Sequence, residues 1–86
     1  MAELREQQEQ LNVRAATAKA GLSSIKQQMS SQGLGLRSDV VEAETRMNYL
    51  LAKAQREISK GDAVSAERDL KMADYAIQSI EKFLGH

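Results

Sequence analysis

Chemistry needs reactive side chains that converge, and those of this 86-residue chain are scattered. The single histidine is His86, at the end of the sequence. Lacking packed neighbours to orient its ring, it is not expected to act as a metal ligand or general base. Glu42 and Glu44, like Glu67 and Asp69, stand two residues apart. On a helix that spacing points carboxylates in different directions, so both pairs are expected on solvated faces. A helix-borne di-metal site would need Glu-x-x-His pairs, which do not occur. Cysteine is absent, which removes thiolate nucleophiles, disulfides and cysteine metal sites. The serines have no histidine or lysine partner at a legible spacing, and no Walker pattern is present. Gly33-Leu34-Gly35 reads as a turn between helices, not as a phosphate cradle after a strand. The expectation is a non-enzyme with no catalytic residue, no cofactor and no metal.

Composition narrows the partners. Twelve basic residues balance twelve acidic ones, with neither sign gathered in one segment. Phosphate-binding proteins usually carry a basic excess or stripe, so nucleic acid is not expected. No apolar run approaches the ~20 residues that span a bilayer, and Met1-Ala2-Glu3-Leu4-Arg5-Glu6 lacks the apolar core of an export signal. A soluble segment without membrane insertion is expected, with a cytoplasmic setting favoured.

Proline is absent, and the aromatics are Tyr49, Tyr75 and Phe83 alone. Long helices are therefore permitted, while strands lack their usual aromatic and β-branched clusters. The fold class is all-α: an antiparallel up-down-up three-helix bundle in a single domain over 1–86, with a long first helix. Helices are expected over about 2–31, 39–60 and 62–84. The third is the clearest, because Ala63, Ala66, Leu70, Ala73, Ile77, Ile80 and Leu84 alternate steps of three and four. Gly61 can end one helix in the left-handed conformation and Asp62 can cap the next, which forces a tight corner.

The second helix carries Val40, Ala43, Met47, Leu50, Leu51, Ala54 and Ile58 as its core stripe. Ser38-Asp39 reads as its N-cap, with Asp39 and Glu42 at capping-box spacing. The first helix has a heptad seam, with Leu4, Leu11, Ala18 and Ile25 in one register and Gln8, Ala15, Leu22 and Met29 in the other. Gly21 within it is expected to be merely tolerated, at ~1 kcal/mol against alanine. Gly33 reads as the stop of this helix. Leu34 and Leu36, too apolar for a solvated loop, are expected to close the bundle end against Phe83 or Leu84. Matching the ~22-residue helices leaves the first two turns of helix one, through Gln10, without a partner inside the monomer. Leu4, Gln8 and Leu11 are accordingly the expected self-association residues of a coiled-coil contact.

Gly61-Asp62-Ala63-Val64-Ser65-Ala66, followed by Leu70 and Ala73, resembles the second half of a tetratricopeptide repeat over about residues 58–80. Ala66, Leu70 and Ala73 match that family's small–large–small spacing. In the same alignment Lys53 and Glu57 fall where a leucine and an aromatic belong, and Gln78 stands where proline should close the repeat. The resemblance implies a helix-packing solution and no functional residues.

Opposite the core stripe of the third helix lies a second row, Val64, Arg68, Met72 and Tyr75. Tyr49 and Arg56 face outward on the second helix. Tyrosine and arginine are enriched at interaction hot spots. The expected function is a non-catalytic helical protein–protein interaction or oligomerisation module, with this row as the partner surface. The alternative is a passive spacer or stalk excised from a larger, membrane-anchored protein. The protein partner would be a second copy or another helical protein. Exposed pairs at i,i+4, Glu42/Arg46 and Glu67/Lys71, should support the outer faces.

Overall fold

The computed structural model describes residues 1–85, so the expectation for His86 lies outside the described residues. Among them the chain forms three helices and no strand: α1 (Ala2–Ser31), α2 (Ser38–Lys60) and α3 (Ala63–Leu84). They pack as a rod of 47 × 19 × 17 Å, with every pair of helices in contact. Helix α2 returns antiparallel to α1, and α3 runs back alongside both.

The α2–α3 corner forms as its residues dictate. Gly61 takes φ 79°, a region costly for any residue with a Cβ. That conformation turns the Gly61 N–H onto the Ile58 carbonyl and the Asp62 N–H onto that of Glu57, so two otherwise free acceptors are satisfied. The Asp62 carboxylate accepts from the Ser65 N–H at 3.2 Å, and the Ser65 hydroxyl, then this backbone bond, hold its pKa below the ordinary aspartate value. The same two-bond ending closes α1, where Gly33 and Leu34 donate to Ser30 and Met29.

The start of α2 is built differently from the expectation. Ser38 is already helical, Arg37 is the N-cap residue, and no side chain caps the helix. Asp39 instead accepts two bonds from the Arg37 guanidinium, at 3.1 and 2.9 Å. A nearby arginine offers a charged donor pair, and it outcompetes the backbone N–H groups.

The core comprises Leu11, Ala15, Ala18 and Leu22 from α1, the expected α2 stripe from Val40 to Ile58, and Ala66, Leu70, Ala73, Ala76, Ile77 and Ile80 from α3. Ala63 is exposed, since the corner leaves the first turn of α3 uncovered. Met47, Ile77, Ile80 and Leu22 are fully buried and are among the largest side chains of the core. Alanine lets the axes approach, so α1 seats itself largely on small side chains.

Three expectations for the ends are corrected. The first turns of α1 do have partners: Leu4 packs half-buried on the core, and Gln8 is buried with its amide bonded to Gln55 of α2. The axial register explains this. Gly21 of α1 already meets Leu84 at the end of α3, so residues 22–31 are the part that continues past that contact. Gly21 is also more than tolerated. A Cβ there would lie 2.9 Å from a Leu84 methyl, so glycine makes room for that side chain. At the bundle end Leu36, Phe83 and Leu84 pack on the core as expected, while Leu34 is exposed. Phe83 gains a second cover from the Arg37 guanidinium, 5.4 Å from its ring centre.

Candidate interaction surface

The outer row of α3 is solvent-exposed: Val64 at 81%, Tyr75 at 69% and Met72 at 38%. Tyr49, at 59%, and Arg56 are exposed on α2. Helical spacing explains the placement, since 64, 68, 72 and 75 fall on the side opposite Leu70 and Ile77. These six residues share the outside of the α2–α3 layer. Leu4, Gln8 and Leu11 do not join them, because all three turn inward against the monomer's own core.

Behind this face lies a polar seam that the spacing of Glu67 and Asp69 conceals. Asp69 was expected on a solvated face and is 1% exposed. Its position one residue before Leu70 rotates it into the contact between α2 and α3. Lys53 Nζ sits 3.3 Å from Asp69 Oδ2 and 3.9 Å from Glu57 Oε2. Arg68 Nε donates to Asp69 Oδ1 at 3.3 Å. Oxygens Glu57 Oε1 and Asp69 Oδ2 are inaccessible to solvent and accept no aligned hydrogen bond. The neighbouring Asp69 carboxyl group, above all, and then burial raise the Glu57 pKa. Burial pushes Asp69 up, but its hydrogen bonds to Glu57, Arg68 and Lys53 outweigh that and hold it low.

A second polar contact joins α1 to α3. Arg14 donates to Asp74 at 2.8 Å and forks onto Glu81 at 2.8 and 3.2 Å. The Glu81 bond, above all, raises the Arg14 pKa. Beside it a shallow recess is lined by Gln7, Gln10, Glu67, Lys71 and Asp74 over a floor of Leu11 and Leu70. Lys26 bridges α1 to Glu44 of α2 at 2.9 Å. Of the two expected i,i+4 pairs, Glu67/Lys71 forms at 3.7 Å. Arg46 makes no ion pair with Glu42 among the described residues, and it is exposed.

No spacing in the sequence singles out the α2–α3 seam, because Lys53 and Glu57 lie outside the apolar stripe of α2. Arg14 carries no signal either, because its partners lie 60 and 67 residues away. Among the described residues no group of three or more His, Asp or Glu side chains is placed to hold a metal ion, and no helix is long and apolar enough to cross a membrane.

Compared with family models, with curated proteins and with solved structures, the chain matches none.

Proposed function

We propose that this chain is a non-catalytic helical module that binds a protein partner through the outer face of α2 and α3. The observation that carries this reading is the row Val64, Arg68, Met72 and Tyr75, flanked by Tyr49 and Arg56. Tyr49, Tyr75, Arg56 and Arg68 are exposed and of types that dominate interface energetics, and Val64 and Met72 add exposed apolar surface to the row. Arg56 has no ion-pair partner among the described residues, so its charge is available to an incoming group. The inward orientation of Leu4, Gln8 and Leu11 shifts the expected contact from the start of α1 to this face.

The partner is a second copy or another helical protein, and one experiment separates these from the alternative. A photo-crosslinking residue replaces Tyr75 in one protein and Lys19, exposed on α1, in another. A product formed from position 75 and not from position 19 supports the reading, and its mass distinguishes a second copy from a different protein. The 47 Å length of the rod favours a rigid spacer as the second reading. Equal failure at both positions would select it.

A further inference from the structure

We infer that Glu57 and Asp69 hold one proton between their carboxyl groups in the folded protein, making the α2–α3 seam a proton-dependent latch. This inference stands apart from the interaction reading, because it concerns groups buried between the helices.

The argument is one of donors and acceptors. Ionised carboxylates only accept hydrogen bonds, and two of them gathered at one ammonium must divide its donors between them. Glu57 Oε1 and Asp69 Oδ2 are both shut off from water and accept no aligned hydrogen bond, although Lys53 Nζ stands 3.3 Å from Asp69 Oδ2. A buried acceptor left unpaired is costly, and one proton turns one of the two into a donor for the other. The surrounding charges do not remove the need. From α2 comes Lys53, 3.3 Å from Asp69 and 3.9 Å from Glu57. From α3 comes Arg68, whose Nε is taken up by Asp69 Oδ1 and whose side chain is otherwise largely in solvent. Across the corner Asp62 adds a further negative charge, felt by Asp69. Helix α1 reaches α2 through the Gln8–Gln55 amides and the Lys26–Glu44 pair, and among the described residues it brings no ion pair to the cluster.

The proton resides on Glu57, because both cations stand closer to Asp69. The raised Glu57 and lowered Asp69 accord with this assignment. The sign of the linkage follows. Glu57, raised, contributes stability that is complete below its unfolded value and is lost as pH rises through its folded value. Asp69, lowered, contributes stability present above its unfolded value and lost as pH falls through its folded value. The latch is therefore closed between these limits, and it opens on the alkaline side by losing the shared proton.

The test follows the side-chain carboxyl carbons by NMR during a pH titration of the intact protein. Melting curves of the wild type and Glu57→Gln are recorded from about pH 3.5 to about pH 8.5, a range that begins below ordinary glutamate titration. The inference expects the Glu57 resonance to titrate above those of the other glutamates. It also expects the wild-type melting temperature to fall with pH relative to Glu57→Gln, whose amide keeps donating to Asp69. A Glu57 midpoint at or below those of its fellow glutamates overturns it, as does an identical pH slope in the variant. Should Glu57→Gln fail to fold, the wild-type titration decides alone.

Discussion

Helix α3 carries an ionic contact on each flank, and the two work on opposite terms. Toward α1, Arg14 forks onto Asp74 and Glu81 with short, aligned bonds, yet its side chain is 37% exposed. Toward α2, Asp69 is almost sealed, its contacts are longer, and one buried oxygen each of Asp69 and Glu57 accepts no aligned bond from the cations. Good geometry in water contributes little, because solvent and salt screen it and ordering a long side chain opposes it. Imperfect geometry away from water has large consequences, because whatever is left unpaired stays unpaired. Counting ion pairs would rank the α1 flank first, and burial reverses the order.

The sharpest break is Asp69→Ala, which leaves Lys53 and Glu57 facing each other without their shared anion. A loss of about 2–3 kcal/mol is expected by urea denaturation, below that of a fully buried pair because the Lys53 side chain left behind is one-third exposed. Replacing Lys53, Glu57 and Asp69 together by Met, Leu and Leu should recover most of that loss, since a packed apolar seam has no desolvated charge to satisfy. On the other flank Arg14→Ala should cost only about 0.5–1 kcal/mol, and 1 M salt should erase most of the difference. Asp62→Ala, at the corner joining the two halves of the comparison, should lower the melting temperature at neutral pH. Because the Asp62 pKa is lowered by its bond to Ser65, the gap between wild type and variant should close as pH falls through the folded value. The smallest effect belongs to Gly21→Ala. Higher helix propensity is offset by displacement of a flexible Leu84 side chain, for a net change of about 0.5 kcal/mol or less in the same denaturation assay.

The comparison also separates what a sequence displays from what it hides. The three-and-four spacing from Ala66 to Leu84 is a local regularity, and local regularity is enough to define a helix and its buried side. Gly61-Asp62 is similarly local, since both ends it serves lie within five residues. The exposed row from Val64 to Tyr75 follows from the same periodicity. Asp69 was not legible as a buried residue, because what distinguishes it from Glu67 is the presence of α2 on one side of α3. The axial register of α1 was hidden for a related reason. Its alanines and glutamines accept several registers, and the choice depends on Leu84 meeting Gly21 and on Gln8 meeting Gln55. At Ser38-Asp39 the local signal was present and lost to a competing donor, Arg37.

The two connections have a kinetic consequence. Helices α2 and α3 are joined by Gly61 and Asp62 alone, whereas residues 32–37 separate α1 from α2. Contacts across the short corner close small loops and form early, so the α2–α3 hairpin should be the first structured unit of the folding chain. Helix α1, seated on alanines and tied to α3 through a half-solvated arginine, should dock last and lift off first. Amide hydrogen exchange in the native protein should then sort the helices into two classes. The α1 amides exchange through partial opening, and those flanking Met47 and Ile77 wait for the whole molecule to unfold.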